Sequence, residues 1–157
     1  MAAITSHQSD RELAVTRSFR APLALVWRLW ADTDLRAQWW GPEGFTCVSL
    51  EQDFRPGGQW RAHIFSDAEG DLHASGTFRE IDPQKLLRFT FRWHERPGEE
   101  AETIATVTFE HRHGRTVQHF HQMPFQSLRS RDGHSAGWNS SFNRLAAIAE
   151  SFDGTRT

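Results

Sequence analysis

Histidine offers the most chemistry in this 157-residue chain, which contains nine of them. Four alternate along one stretch, where His111 and His113 form one pair and His119 and His121 a second. Residues two apart on a strand point to the same side, so each pair could supply two ligands to a metal ion. No neighbouring cysteine or carboxylate motif completes either pair. We therefore interpret them as solvated surface histidines and predict no metal site.

His134 differs because it opens the last predicted helix, four residues before Trp138 and on the same helical face. An imidazole there could stand at the mouth of a cavity, titrate near neutral pH and act as a general acid or base. Helix packing or capping explains the residue about equally well. The sequence contains no Ser-His-Asp or Cys-His set and no phosphate loop, so we assign no catalytic residue and expect no cofactor.

The single cysteine, Cys47, lies in the middle of a predicted strand. One cysteine cannot form an intramolecular disulfide or a multi-cysteine metal site. A nucleophilic thiol would need a nearby base, and the mid-strand position favours a buried, inert thiol instead.

Two glutamines could orient a bound molecule if the last hairpin has the register that we favour. With a two-residue turn at positions 113 and 114, Phe109 lies opposite Gln118, and Phe120 and Gln122 share their inward face. The second histidine pair then points outward, whereas a three-residue turn would exchange the two faces. Buried amides need hydrogen-bond partners. A ligand, an ordered water or a neighbouring protein group could each provide them.

Aromatic residues form the largest set of candidate ligand contacts, since the chain has twelve Phe and seven Trp but no Tyr. Rings in such number build an ordinary apolar core, and they also make a suitable container for an apolar molecule. The candidate ligand-binding residues are Trp39, Trp40, Trp60, Phe78, Phe89, Phe91, Phe109, Gln118, Phe120, Gln122, His134 and Trp138.

Charge and hydropathy argue against several classes of partner. The formal net charge is −2, and the basic residues are scattered through every predicted strand. Nucleic acid and anionic membranes are therefore poor partners. The N-terminus lacks a basic segment followed by a long apolar run, and no window approaches about 18 apolar residues. We expect a soluble, cytoplasmic protein.

The elements that position the candidate residues follow from periodicity. Alternating apolar residues from Leu13 to Phe19 predict a strand, and Leu23 to Ala31 has helical spacing, with Pro22 at the first helical position. Asp32 or Asp34 can cap a second short helix that carries Trp39 and Trp40. Six more strands are predicted at Phe45 to Asp53, Gln59 to Phe65, Leu72 to Ile81, Leu86 to Trp93, Thr103 to His111 and Thr116 to Met123.

A long amphipathic helix from about Asp132 to Ser151 closes the chain, and its apolar face must lie on the sheet. We predict one α+β domain over residues 12–152. Its architecture is a helix-grip fold, a seven-stranded curved antiparallel sheet around a long C-terminal helix with two short helices after strand 1. Residues 1–11 and 153–157 are predicted to be flexible termini.

Several short motifs together carry a family resemblance. They are Phe19-Arg20-Ala21-Pro22, Trp39-Trp40-Gly41-Pro42, Asp53-Phe54-Arg55-Pro56-Gly57-Gly58, Gly76-Thr77-Phe78-Arg79-Glu80-Ile81 and His134-Ser135-Ala136-Gly137-Trp138. From about Arg17 to Glu150 the chain resembles the START/Bet v 1-like (SRPBCC) superfamily. Within that superfamily it is similar to the family of homologues of the activator of the 90-kDa heat-shock-protein ATPase. The resemblance implies a hydrophobic cavity between the long helix and the sheet.

Three functions are compatible with that resemblance, because superfamily members bind lipids, polyketides or hormones, or act as cyclases and dehydratases. Our leading hypothesis is a non-enzymatic domain that binds a small hydrophobic or aromatic molecule in the cavity. One alternative is a cyclase or dehydratase type of enzyme acting on a hydrophobic substrate. The other is a co-chaperone-like protein-interaction domain that uses its outer surface. Homodimerisation is common among small domains of this kind, but the sequence does not fix an interface.

Overall fold

The computed structural model describes residues 10–95 and 101–155. Its elements follow the predicted order of one strand, two short helices, six strands and a long final helix. Their bounds are β1 (Leu13–Phe19), α1 (Leu23–Ala31), α2 (Thr33–Ala37), β2 (Thr46–Gln52), β3 (Gln59–Ser66), β4 (Gly70–Asp82), β5 (Leu86–Trp93), β6 (Thr103–Arg112), β7 (Arg115–Met123) and α3 (Leu128–Thr155). The predicted α+β helix-grip architecture is confirmed.

The strands form one antiparallel sheet in the order β1-β7-β6-β5-β4-β3-β2. Strands β2 to β7 make a meander, and β1 joins it by pairing with β7. Alternate residues of β3 and β7 are buried while their neighbours face outward, so each strand has one apolar face that must be covered. The helices cover that face, and the inward side of α3 buries Trp138, Phe142, Leu145 and Ala149.

The last hairpin has the register that the sequence analysis favours. Phe109 pairs with Gln118, and the closing pair of the turn is Arg112 with Arg115. Residues His113 and Gly114 have φ angles of 54° and 78°. Positive φ at both central residues matches the right-handed twist of the flanking strands, as in type I′ turns. The two-residue turn therefore places Gln118 on the inner face.

Glycine is required at position 76, where β4 passes close to β5. A Cβ atom there would lie 1.7 Å from the Thr90 carbonyl oxygen and 2.6 Å from Trp60 Nε1. The open space lets the Trp60 indole donate a hydrogen bond to that carbonyl at 3.1 Å. Gly76 thus fixes the position of a ring in the centre of the sheet.

Helix bounds differ from the predicted ones at four places, three of which lie at the start of α3 and around the two short helices. α3 begins at Leu128, before the predicted Asp132, because the Ser127 hydroxyl accepts the Ser130 amide and caps the helix earlier. Pro22 occupies the N-cap position of α1, with extended backbone, and not the first helical position. α2 ends at Ala37, so the two tryptophans that follow lie on the turn after the helix and not on it.

The predicted cap of α2 is confirmed, since the Asp32 carboxylate accepts the amides of Asp34 and Leu35. At the C-terminus α3 continues to Thr155, beyond the predicted end at Ser151. Residues 1–9 and 156–157, which carry most of the expected flexible termini, lie outside the described residues.

Aromatic rings fill the space between the sheet and the helices. Trp30 contacts Trp39, Trp40, Phe89 and Phe142 at centroid distances of 4.7, 6.5, 6.0 and 6.2 Å. Edge-to-face and tilted geometries of this kind add to the roughly 1.5–3 kcal/mol that each large buried side chain contributes. The space between the centre of the sheet and the helices is therefore a packed core, and room for a ligand remains nearer one end of α3.

Candidate functional site

The candidate site is a cleft of about 340 Å³ between the first half of α3, the segment 40–45 and the inner face of β3, β4 and β5. We call it the α3 cleft. Its rim includes the exposed residues Glu43, Glu69 and Ala136, so it opens to solvent. The lining residues are Trp40, Gly41, Pro42, Glu43, Phe45, Ile64, Glu69, Leu72, Phe91, Trp93, Gly133, His134, Ala136, Gly137, Trp138 and Ser141.

Four of the predicted ligand-binding residues line the α3 cleft, namely Trp40, Phe91, His134 and Trp138. The rings of Trp40 and Trp138 meet edge to face at 5.4 Å, and Phe91 lies 6.0 Å from Trp138. These three rings form a rigid apolar wall. A wall of this kind suits the flat apolar surface of an aromatic or alicyclic ligand.

Segment 40–45 is fixed in place by α3. Arg144 Nη1 donates to the carbonyl oxygens of Gly41 and Phe45 at 2.7 and 3.3 Å. The amide of Glu43 donates to Ser140 Oγ at 2.8 Å. Gly41 itself has a φ of 105°, which favours glycine. The cleft wall opposite the sheet is therefore a braced loop, and its shape depends on one arginine of α3.

His134 lies at the cleft mouth, as the sequence analysis anticipated, but both of its ring nitrogens have protein partners. Nδ1 donates to the Ser130 carbonyl oxygen at 2.8 Å, one helical turn earlier. Nε2 accepts the indole N–H of Trp93 at 2.9 Å. Only the neutral ring with its proton on Nδ1 makes both bonds. The geometry therefore favours the packing role of His134 over the acid–base role.

Gln118 and Gln122 are fully buried and face inward, as the favoured register predicts, but neither lines the α3 cleft. Gln122 Oε1 accepts the Trp138 indole N–H, and its Nε2 donates to Thr103 Oγ1, both at 2.7 Å. Protein groups thus satisfy this amide, and Gln122 positions a wall of the cleft. Gln118 Oε1 accepts the Trp30 indole N–H at 2.9 Å. Its Nε2 has no partner among the described residues.

The structure does not bring the other predicted ligand contacts to the cleft. The six rings concerned are buried in the core behind it: Trp39, Trp60, Phe78, Phe89, Phe109 and Phe120. The physical reason is that α1 and the turn after α2 insert large indoles between the sheet and α3. The hydrophobic cavity expected from the resemblance is accordingly reduced to a cleft at one end of the grip.

Arg36 is the residue that the sequence analysis missed. It is fully buried and lies over five aromatic rings. We call these rings the Arg36 box; the guanidinium carbon is 4.2 Å from the centroid of Trp40, 5.2 Å from Trp60, 5.4 Å from Phe89, 5.6 Å from Trp30 and 5.9 Å from Phe78. The sequence spacing of Arg36 and Trp40 could have indicated this burial, because residues four apart share a helical face and Arg36 precedes Trp40 by four.

Only part of the guanidinium group of Arg36 is hydrogen-bonded. Nη1 donates to Gln52 Oε1 at 2.6 Å, while Nε and Nη2 have no hydrogen-bond partner within the described part of the chain. Burial lowers the pKa of Arg36 to about 9, against a smaller opposing effect of Cys47. At neutral pH the group therefore carries a full positive charge inside the protein.

Cys47 is half-buried and not fully buried as expected. Its Sγ donates to the Ser49 carbonyl oxygen at 3.5 Å. Burial raises the pKa of the thiol, and the nearby charges of Arg144 and Arg36 offset only part of that effect. The thiol is therefore protonated at neutral pH, in agreement with the inert role predicted for it.

The outer face of the sheet carries histidines that contact carboxylates. His119 lies 2.8 Å from Glu110, and His121 lies 2.8 Å from Glu12. A further pair that the sequence analysis did not single out, His63 and His73, stacks across β3 and β4 at 4.3 Å. Within residues 10–95 and 101–155 no group of three or more His, Cys, Asp or Glu side chains is arranged to hold a metal ion.

A seven-stranded antiparallel sheet around a long C-terminal helix, with an apolar cleft beside that helix, defines the class of helix-grip α+β domains. The family model described as activator of Hsp90 ATPase homolog 1-like protein matches residues 20–150. The chain belongs to this family.

Solved structures from several bacteria share the fold. A Chromobacterium violaceum protein is 27% identical with a TM-score of 0.82, and the match covers 90% of this chain and 99% of that one. The AHSA1 protein of Silicibacter pomeroyi is 24% identical with a TM-score of 0.77, over 87% and 96% of the two chains. An Arthrobacter aurescens protein is 20% identical with a TM-score of 0.80, over 92% and 90%. No curated protein matches the chain.

None of the helices in the described ranges combines the length and the apolar character that a membrane crossing requires.

Proposed function

We propose that the protein binds a small hydrophobic or aromatic molecule in the α3 cleft. The observation that carries the proposal is the cleft itself, about 340 Å³ in volume with a wall of three aromatic rings. Clefts that hold small ligands start at about 300 Å³ and are mostly apolar with a few polar groups. Proteins with this fold commonly bind hydrophobic ligands.

The two alternatives receive less support from the geometry. An acid–base role for His134 would require it to release the Trp93 indole or the Ser130 carbonyl. A protein-interaction role would favour one continuous apolar patch on the surface. The exposed large apolar residues of the described fold lie in separate places, for example Val48 on β2 and Met123 on β7.

The test is a pair of identical substitutions on one helix. Ala136 is exposed and lines the α3 cleft, whereas Ala147 is exposed on the same helix and does not line it. Ala136→Trp should fill the cleft, and Ala147→Trp is the matched control. The probe is N-phenyl-1-naphthylamine, a neutral molecule whose fluorescence rises in apolar surroundings.

We expect the wild type and Ala147→Trp to bind the probe with equal affinity. Ala136→Trp should weaken binding by about tenfold or more, because the added indole occupies the ligand volume. Equal binding by all three proteins would place the probe elsewhere and refute the proposal. Native mass spectrometry of the purified protein, before and after denaturation, then identifies any molecule that it carries.

A further inference from the structure

Arg36 is a buried positive charge for which the fold provides no negative partner. No carboxylate among residues 10–95 and 101–155 forms an ion pair with it, and Nε and Nη2 are without acceptors. Removing a charge from water is costly unless it is paired and hydrogen-bonded. The Arg36 box compensates only partly, since aromatic faces attract the cation but accept none of its in-plane N–H groups. A site of this kind lacks an acceptor of the right charge.

The acceptor that a guanidinium fork prefers is a planar or tetrahedral anion. A ligand in the α3 cleft does not reach the guanidinium N–H groups, because Arg36 is fully buried and does not line the cleft, so only the charge of Arg36 can act on that ligand. Burial leaves Arg36 charged at neutral pH, because its pKa of about 9 still lies above 7. The group is thus able to select a negative ligand under ordinary conditions.

Trp40 connects Arg36 to the α3 cleft. It is the member of the Arg36 box that also lines the cleft, and its ring is the one closest to the guanidinium carbon, at 4.2 Å. A molecule packed against Trp40 in the cleft is therefore separated from the uncompensated charge by little more than the Trp40 ring. In the low-dielectric interior that charge acts over such a distance with little screening.

The rim of the cleft favours one orientation of a charged ligand. Glu43 stands at the exposed rim, so its carboxylate repels an anion that lies there. The Trp40 side of the cleft has the opposite sign, because Arg36 lies behind it. An amphipathic anion would hence point its charged end inward and leave its apolar body along Phe91 and Trp138.

We infer that the α3 cleft selects small organic anions, with a carboxylate or sulfonate on an apolar body, and that Arg36 is the residue that recognises the negative charge. This inference rests on the proposed function, and it adds the chemical class of the ligand. Arg36 is proposed as a specificity residue and not as a catalytic one.

The experiment compares two probes that share one skeleton. N-phenyl-1-naphthylamine is neutral, and 8-anilino-1-naphthalenesulfonate has the same rings with one sulfonate added. Both are titrated by fluorescence at pH 7.5 into the wild type, Arg36→Met and Arg36→Lys. Arg88→Met is the matched control, because it removes an arginine from the outer face of the same sheet. Thermal unfolding of each variant shows that it is folded.

The wild type should bind the sulfonate at least about tenfold more tightly than the neutral probe, since the buried charge of Arg36 attracts an anion in the cleft through the low-dielectric interior. Arg36→Met should lose this preference and keep its affinity for the neutral probe, while Arg36→Lys retains part of the preference. Arg88→Met should behave as the wild type does.

Equal affinities of the two probes in the wild type, or a sulfonate preference that survives in Arg36→Met, would overturn this inference and leave the proposed function intact. That result would mean that the charge of Arg36 does not influence ligands in the α3 cleft. Failure of the wild type to bind either probe would refute both.

Discussion

Arg36 and Arg88 place the same guanidinium group on opposite sides of the fold. Arg88 lies on the outer face of β5, where Nη1 donates to Glu80 at 2.7 Å and Nε donates to Thr106 Oγ1 at 3.2 Å. Its side chain is 39% exposed, whereas Arg36 is fully buried and has one hydrogen-bond partner. The outer group is compensated in water, and the inner one is not. The position of a charged group relative to the sheet therefore decides how much free energy its burial costs and whether its charge can attract a ligand.

The same contrast holds for the polar groups of the two faces. On the outer face, exposed side chains of opposite charge lie close together. Such pairs include Arg61 with Glu51, Arg88 with Glu80 and Arg112 with Glu110. On the inner face, indole N–H groups are satisfied by single buried acceptors. These bonds join Trp30 to Gln118, Trp39 to Leu29, Trp60 to Thr90 and Trp138 to Gln122. Because each of these indole N–H groups has a single acceptor within reach among the described residues, these hydrogen bonds define one arrangement of the rings.

The largest effect is expected from the aromatic wall. Trp138→Ala should lower the free energy of unfolding by about 3–5 kcal/mol, because it leaves a cavity beside Phe120 and Trp40 and strands the amide oxygen of Gln122. Urea unfolding followed by far-UV circular dichroism measures the change. Trp138→Phe is the control, and it should cost less because a ring is kept. An unchanged urea midpoint for Trp138→Ala would contradict the packing described above.

The second effect concerns the buried charge itself and has the opposite sign. Arg36→Met should raise the free energy of unfolding by about 1–4 kcal/mol, because a flexible apolar side chain of similar length replaces an ion that burial penalises. The substitution also forfeits the attraction between the cation and its five rings. A loss of stability would mean that this attraction outweighs the cost of burial, and it would overturn the comparison between the two faces.

The pH dependence of Arg36→Met sharpens the same comparison. Burial lowers the pKa of Arg36 in the folded state to about 9, while the unfolded chain keeps the higher, ordinary pKa of arginine. Between these values the unfolded state binds more protons, so this group's destabilising effect is full below pH 9 and is relieved as the pH rises above it. The advantage of Arg36→Met over the wild type should shrink between pH 8 and about pH 10. Both proteins are compared in a Cys47→Ser background, which removes the thiol whose charge acts on Arg36. A constant advantage would argue against a buried charged arginine.

The smallest effect is expected on the outer face. Arg88→Met removes an exposed ion pair with Glu80, and such pairs contribute about 0–1 kcal/mol. Urea unfolding should give a change in this range, and 1 M NaCl should weaken the contribution further because salt screens exposed charges. A loss of stability as large as that of Trp138→Ala would show that ion pairs on the outer face contribute substantially to the stability of the fold.

Most of the fold could be predicted from local patterns. Period-2 alternation marks β1 to β7, whereas the register that points Gln118 inward was favoured over a three-residue turn only with the help of the family pattern, and the structure has that register. Bounds were less predictable where hydrogen bonding by side chains decides them. The Ser127 cap moves the start of α3 by four residues, and α2 stops before the two tryptophans that were predicted to lie on it.

The candidate site was predictable only in part. Trp40, Phe91, His134 and Trp138 were singled out and do line the α3 cleft, yet the other eight predicted ligand contacts lie elsewhere in the core or behind its wall. A sequence shows which face of an element a residue takes, but not how much space remains once the indoles of α1 and the following turn have packed. The occupied volume depends on contacts between residues far apart in the chain.

Spacing and short motifs are enough to predict the order of the elements and the family from the sequence. The folded structure was needed to show that the space between the sheet and α3 is filled at its centre, that both nitrogens of His134 are engaged, and that Arg36 is buried among five rings. An arginine on a short amphipathic helix ordinarily faces water. Its burial follows from how α2 meets the sheet, and that docking brings Gln52 of β2 and the Arg36 box around it. The charge then becomes a feature of the interior, where water does not screen it.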